Sequence, residues 1–364
     1  MIVEVKQLRE ALAKCSGIVA RRSPLPICGS VLLDGRENTL TIRATDLEKM
    51  VEVTIPCSGE LWSGCVPYRI LNKFVSQGMG TVSLGLKNRQ LILDRPLIGQ
   101  LRIGGIKEAS EFPPFSTIDS LAWKELDAKE VCRLFGVVAQ GCAKEESRPV
   151  LTGVCCRQGE IASADGFRLY NAVSTKFDFG LSTLTNNKII PRATVLQVIK
   201  LFGKQEKMQV AFGENVVYFK SGGTSLSAQL VQGTYPKYEK LIPTSFSSKV
   251  IFSVPLMLER LKLMDALSGN ITRLWFEKVA GGDLFYISGK YAEEDDMVYD
   301  LNLPCKIETA EVGKIAVQYN YLFDAIKAFS ICSMELTNPS SPMKFTGDIE
   351  GLTVITMPMF IEWS

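Results

Sequence analysis

Apolar residues recur at helical spacing in three separated places along the 364-residue chain. Leu8-x-x-Ala11-Leu12 is echoed by Val131-x-x-Leu134-Phe135 and then by Leu258-x-x-Leu261, at offsets of 123 and 127. Each predicts an amphipathic helix with one apolar stripe. Strict alternation follows, as in Thr39-Leu-Thr-Ile-Arg-Ala and Val51-Glu-Val-Thr-Ile, which predicts half-buried strands. A second helical pattern opens at Val66-Pro67, at Ile190-Pro191 and near Val317-Gln318, offset by 124 and 127. Within it Phe74-Val75, Val198-Ile199 and Ala325-Ile326 take equivalent places. Proline suits the first helical position, where its missing N–H costs nothing. Two more strands, such as Val82-Ser-Leu-Gly-Leu and Gln90-Leu-Ile-Leu, complete the pattern.

Two further matches share this order. Glu111-Phe112-Pro113 matches Thr234-Tyr235-Pro236 after 123 residues, and Thr45-Asp46 matches Ala164-Asp165 after 119. Each match is weak by itself; their common spacing makes a threefold repeat of about 120 residues, far longer than a solenoid unit. The fold class expected is therefore α+β, three domains of two helices packed on antiparallel sheet, at 1–119, 120–245 and 246–364. Domains that meet through equivalent surfaces turn by a constant angle, which closes a ring or grows a filament. Three copies supply half a ring, and a second chain supplies the rest.

Composition narrows the chemistry. With 46% hydrophobic and 22% charged residues the chain can bury sizeable cores. It contains no histidine, which excludes Ser–His–Asp hydrolysis, Cys–His proteolysis and histidine-based zinc sites. Ten cysteines include no CxxC, so neither zinc nor an iron–sulfur cluster is expected. The opening residues carry charges every few positions and no segment has the apolar length of a membrane span, so a cytoplasmic, reduced protein is expected. Formal charge is only +2, yet six helical windows (6–22, 69–77, 129–144, 192–207, 258–273, 320–327) together carry +12 and the remainder −10. Basic helices over an acidic remainder suit phosphate contact, although Lys and Arg also favour any exposed helix face. No P-loop, GxGxxG, helix-turn-helix or aromatic RNA-binding motif is present, so duplex binding here would follow the backbone without sequence preference.

At this point the residues resemble a family. Arg22-Ser-Pro-Leu-Pro-Ile-Cys-Gly-Ser-Val-Leu-Leu with Leu40-Thr-Ile-Arg-Ala-Thr-Asp-Leu-Glu resembles the first domain of bacterial sliding clamps, the beta subunit of DNA polymerase III. Arg148-Pro-Val-Leu-Thr-Gly-Val, Ala162-Ser-Ala-Asp-Gly-Phe-Arg-Leu-Tyr and Gly233-Thr-Tyr-Pro-Lys-Tyr-Glu-Lys-Leu-Ile-Pro resemble its middle domain, and Val354-Ile-Thr-Met-Pro-Met its last strand. The resemblance runs over essentially the whole length, in order. It implies a head-to-tail homodimer closing a six-domain ring, helices lining the hole, with no catalytic activity and no cofactor or metal. Double-stranded DNA would pass through, while a DNA polymerase, the clamp loader and other proteins with a clamp-binding motif would attach; no membrane is involved.

By the resemblance, Arg22, Arg69 and Arg192 reach DNA; Lys14, Lys73 and Lys200 join them from helix position alone. A partner-peptide pocket is expected from Arg148, Leu151, Gly166, Phe167, Arg168, Leu169, Pro236, Lys240, Leu241, Ile355, Met357, Pro358 and Met359, with Tyr321 near its rim. It would take a short peptide bearing leucine and an aromatic residue. Phe167 stands where the family often has histidine, Lys240 where it often has arginine, and Thr356 replaces an apolar residue. The chain also continues past Met359 as Phe-Ile-Glu-Trp-Ser, so Trp363 is placed to fold over the rim. Leu101 and Ile103, against Ala266 and Leu267, align with the family's ring contact. Two other readings stay open: an enzyme using Glu293-Glu294-Asp295-Asp296 with a metal or Cys155-Cys156 as nucleophile, and a duplicated protein-binding scaffold or specialised paralogue without a general replicative role.

Overall fold

The computed structural model describes residues 1–20, 25–96, 98–114, 121–145, 147–181, 187–265, 271–290 and 298–361. Six helices lie within them: α1 (Val5–Cys15), α2 (Tyr68–Phe74), α3 (Ala128–Val138), α4 (Arg192–Phe202), α5 (Val254–Asp265) and α6 (Tyr319–Ile326). Each helix continues directly from a short strand and is followed by three more strands, so every repeat is a pair of β-α-β-β-β modules. In the first repeat these are Ile2–Glu4, α1, Ser30–Arg36, Thr39–Thr45 and Lys49–Pro56, then Ser63–Pro67, α2, Thr81–Lys87, Gln90–Arg95 and Gly99–Ile103. Successive strands after each helix pair antiparallel, as their alternating burial requires.

The helices form where apolar residues repeat every three or four positions. Val5, Leu8, Ala11, Leu12 and Cys15 are the buried face of α1, and Val131, Leu134, Phe135 and Val138 that of α3. In α5 the stripe is Val254, Met257, Leu261 and Met264, whereas Leu258 is only half-buried. The third helical match therefore sits one residue earlier than the spacing predicts, in step with the first residue of each helix.

The proline-led helices also begin differently. Pro67 is the N-cap of α2 and closes a strand paired with Ser30–Arg36. Pro191 ends the strand Lys188–Pro191, where it pairs with Gly153. A strand's last residue loses little by lacking an N–H, so proline marks the strand-to-helix switch from the strand side.

Two compact units result. One comprises Met1–Arg133, Asp178–Gly180 and Ala193–Val231; the other comprises Leu134–Phe177, Leu181–Arg192 and Gln232–Ser364. Each holds one terminal repeat and part of the middle one, because ladders cross the repeat boundaries. In the first unit Lys49–Pro56 pairs antiparallel with Thr224–Gln229, from Val53↔Thr224 to Lys49↔Ala228, within an eight-stranded sheet. In the second, Arg168–Val173 pairs antiparallel with Leu352–Thr356, from Arg168↔Thr356 to Ala172↔Leu352, within a twelve-stranded sheet. No helix among the described residues is long and apolar enough to cross a membrane.

Candidate functional site

The second unit carries a cavity of about 890 Å³ built around one turn. Asp165 Oδ1 accepts the backbone N–H of Phe167 at 3.0 Å and of Arg168 at 2.8 Å. Between them Gly166 has φ +96°, a left-handed conformation that glycine adopts without a Cβ clash. The turn delivers Arg168 to the start of its strand with its side chain only 6% exposed. Its guanidinium donates through Nε to Asp165 Oδ2 (2.9 Å), through Nη1 to Asp324 Oδ2 (3.1 Å) and through Nη2 to the carbonyl of Gln140 (3.3 Å). It lies 4.5 Å above the Tyr321 ring, and the exposed Phe167 ring rests 6.2 Å from Tyr321. Burial opposes charge on Arg168, but Asp165 first, with Tyr170 and Asp324 adding to it, outweighs this and holds the group protonated above its ordinary range.

The remaining charges decide what the cavity attracts. Asp324 also accepts from Lys327 Nζ at 2.5 Å, so both aspartates are neutralised. Among the described residues Lys144, Arg148 and Arg192 also line the cavity without a carboxylate partner; Arg192 Nε donates to the carbonyl of Ala139 at 3.0 Å. Among the described lining residues, the carboxylate not engaged with Arg168 is that of Glu145. The lining suits an extended segment with an apolar or aromatic side chain and a carboxylate.

Of the pocket residues expected from sequence, Arg148, Leu151, Gly166, Phe167, Arg168 and Tyr321 line this cavity. Leu169 and Ile355 do not: they pair across the ladder and are 2% and 4% exposed, so they are core beneath the turn. Met357 is held beside Phe167 by its N–H, which donates to the Phe167 carbonyl at 2.9 Å, and Met359 donates to Ala316 at 2.8 Å. Both side chains are partly exposed, Phe360 is exposed, and Pro358 is buried. Pro236, Lys240 and Leu241 are exposed on a separate loop. Sequence reasoning missed Asp165, Asp324, Lys327 and Lys144; Asp324 and Lys327 had a signal, lying three and six residues after Tyr321 on or just past α6. Arg192, expected at DNA, is a cavity residue here.

The loop with Pro236 and Lys240 is anchored by Arg157. Its Nη1 donates to Glu239 Oε1 at 2.5 Å, its Nε to Asn187 Oδ1 at 2.9 Å, and its guanidinium lies 4.9 Å over Tyr238. Tyr238 in turn donates to Glu160 Oε1 at 2.8 Å. Arg157→Ala should cost about 1–2 kcal/mol, the solvent-exposed ion pair contributing least. The Arg157 hydrogen bond holds the Glu239 carboxyl below its ordinary 4.5. That contribution is complete above 4.5 and lost as pH falls through the lowered value. Urea midpoints of parent and variant should therefore converge on acidification below 4.5; a gap that widens there would contradict this role for the pair.

In the first unit two of the expected DNA lysines come together. Lys14 Nζ donates to Thr224 Oγ1 at 2.9 Å and Lys200 Nζ to the carbonyl of Ser16, the C-cap of α1, at 2.6 Å. The negative end of the helix dipole favours both ammonium groups. Arg69 and Lys73 are exposed on α2. Leu101 and Ile103 lie on Gly99–Ile103, a strand that among the described residues pairs only with Gln90–Arg95. Arg22, Ala266, Leu267, the acidic run 293–296 and Trp363 lie outside the described residues. Cys155 and Cys156 are both buried, and burial pushes the Cys155 thiol up to about 12 and that of Cys156 well above its ordinary value. Neither is an accessible thiolate nucleophile at neutral pH.

Comparison with known proteins agrees along the whole chain. Residues 1–73 match the family model of the DNA polymerase III beta subunit, N-terminal domain, and residues 125–237 that of its central domain, together just over half of the chain. The beta sliding clamp of Proteus mirabilis is 27% identical over 346 residues, 92% of each chain. That of Synechocystis is 23% identical over 393 aligned positions, covering 99% of this chain and 98% of its own. Among solved structures, the DNA polymerase III subunit beta of Pseudomonas aeruginosa superposes with TM-score 0.89 at 19% identity, covering 99% of this chain and all of its own. The Bacillus subtilis DNA polymerase sliding clamp gives 0.89 at 20%, covering 99% of each chain.

Proposed function

The chain belongs to the DNA polymerase III beta subunit family, and from that premise we propose that it is a DNA sliding clamp, encircling duplex DNA and tethering the replicative polymerase and other replication or repair proteins. Three domains, at 1–119, 120–245 and 246–364, would make half of a six-domain ring. One observation carries the ring reading. The same antiparallel junction is used twice inside the chain, Lys49–Pro56 with Thr224–Gln229 and Arg168–Val173 with Leu352–Thr356. The corresponding strands of the third and first repeats are Val298–Ala310 and Gly99–Ile103. Among the described residues, the first half of Val298–Ala310 pairs only with Gly282–Lys290, and Gly99–Ile103 only with Gln90–Arg95. A second copy, head to tail, supplies each free edge with its partner.

Lys14, Lys200, Arg69 and Lys73, with Arg22, would touch phosphates through long, rotatable stems, loosely enough to let the ring slide. The cavity around Arg168 would take a peptide motif with leucine and an aromatic ring, and Lys144, Arg148 and Arg192 would draw an acidic residue beside them. A polymerase held by such a weak site on a closed ring stays at high effective concentration near its primer end. The clamp works in the cytoplasm, performs no catalysis, and is opened by a separate loader that hydrolyses ATP.

The test compares nicked circular with linearised DNA, each loaded with clamp loader and ATP. Retention through gel filtration is expected on the circle, with at least about tenfold less on the linear form, because only a free end lets a ring slide off. Equal loss from both would overturn encirclement and favour the protein-binding scaffold.

A further inference from the structure

The turn that builds the Arg168 cavity has an atom-for-atom copy in the first unit. Asp46 Oδ1 accepts the N–H groups of Glu48 at 3.1 Å and Lys49 at 2.7 Å, as Asp165 accepts those of Phe167 and Arg168. The ion pair recurs, Lys49 Nζ to Asp46 Oδ2 at 2.7 Å against Arg168 to Asp165 at 2.8 Å. So does the tether to the neighbouring strand: Gln229 N–H donates to the Glu48 carbonyl at 2.9 Å, as Met357 does to Phe167.

One residue breaks the parallel in a telling way. Where the second turn has Gly166 at φ +96°, the first has Leu47 at φ +78°. A branched L-residue is strained in that region, and this one is also 45% exposed. Glycine would be more comfortable on both counts. What the leucine does is wall a cavity of about 120 Å³ whose lining is mixed, apolar at Met50, Pro113, Pro114 and Val216 and polar at Thr45, Ser227 and Gln229. That space is room for several waters or for one aliphatic side chain. The charge at its mouth is the reverse of the other cavity's. Lys49 is spent on Asp46, whereas the Glu48 carboxylate is 82% exposed, with only the committed Lys49 ammonium 4.0 Å away.

We propose that this cavity is a second peptide-docking site, which takes one aliphatic side chain against Leu47 and a lysine or arginine beside it against Glu48, in an extended segment of a partner protein. Leucine in the left-handed position supplies the wall, and backbone strain of this kind clusters at ligand-binding sites. The two sites are charge-inverted copies of one turn. The site stands apart from the cavity around Arg168, and either can hold or fail without the other.

Methyl spectra of the full chain with 13C-labelled methionine test it, because Met50 lines this cavity and Met357 flanks the other turn. The probes are Ac-Ser-Leu-Lys-Ser-NH2 and Ac-Ser-Leu-Asp-Ser-NH2. The lysine probe should move the Met50 methyl and saturate near about 1 mM, as expected for one small side chain and an exposed charge pair. The aspartate probe should bind at least about threefold more weakly, and Glu48→Lys should invert that order. Leu47→Gly, which relieves the backbone and so folds at least as well, should weaken the lysine probe by about threefold or more. An unmoved Met50 at about ten times the expected dissociation constant, equal binding of both probes, or a shift of Met357 alone would each overturn the proposal.

Discussion

Replacing Arg168 with alanine is expected to lower the unfolding free energy by about 3 kcal/mol and weaken peptide binding by more than about tenfold. The guanidinium is 6% exposed and faces two carboxylates, Asp165 at 13% and Asp324 at 29%. Removing one member of a buried ionic cluster costs about 3–5 kcal/mol because the charges left behind cannot recover their hydration. The lower end applies, since Asp324 keeps Lys327 and some solvent. The contact over Tyr321 adds to the loss and removes the seat of the Phe167 ring. Arg168→Lys should recover less than half, because a point charge cannot reach Asp165, Asp324 and the Gln140 carbonyl at once. Urea unfolding measures the first effect and fluorescence anisotropy with a leucine- and phenylalanine-containing acidic peptide the second. A variant as stable as its parent would show that the cluster carries no structural load, and parent-like affinity would remove Arg168 from the site.

Much of this architecture was legible because burial leaves a periodic trace. The apolar stripe of α1 and the alternation of Thr39–Thr45 follow from one-sided burial. Repetition at matched offsets then exposes the threefold plan. The errors are equally physical. Leu258 and Met257 are neighbours of similar hydrophobicity, and only packing decides which turns inward. The short strands before each helix are three to six residues long, too short for a period to declare itself.

The candidate site was half legible. Arg148, Phe167 and Arg168 stand in recognisable motifs, and the cavity gathers them with Tyr321. Asp324 had only its place three residues after Tyr321 as a signal: its role depends on a contact with Arg168 across 156 residues, which no local pattern encodes. Leu169 and Ile355 were misplaced for a related reason. A strand shows alternate faces, and which face meets the cavity depends on the partner strand's register. Nor could the copied turn at Asp46 be seen as a turn until its backbone hydrogen bonds were known. Leu47 is an ordinary residue in the sequence and becomes unusual only through its φ of +78°.

Leu101→Asp is expected to produce the largest change of all, weakening the homodimer by about four orders of magnitude while leaving each chain folded. Position 101 lies partly exposed on a strand that among the described residues is paired on one side only, so in the isolated chain the carboxylate stays hydrated and stability should change by less than about 1 kcal/mol. In a head-to-tail dimer the same edge meets Val298–Ala310 of the second copy, and the charge must be buried without a partner. That costs about 3 kcal/mol at each contact. Symmetry presents the contact twice, giving about 6 kcal/mol, or ~10⁴ in the dissociation constant. Sedimentation equilibrium measures it directly, and an unchanged dimer would refute the proposed edge. The variant also separates topology from charge. With the ring open, retention on nicked circles should fall to the level of linear DNA at every salt concentration. Reversing the charge of Lys14 and Lys200 should instead reduce DNA affinity and its salt dependence, leaving the circle-to-linear ratio high among rings that do load. A clamp that held DNA by affinity alone would show the opposite order, with the lysine variants failing on both templates and Leu101→Asp behaving like the parent.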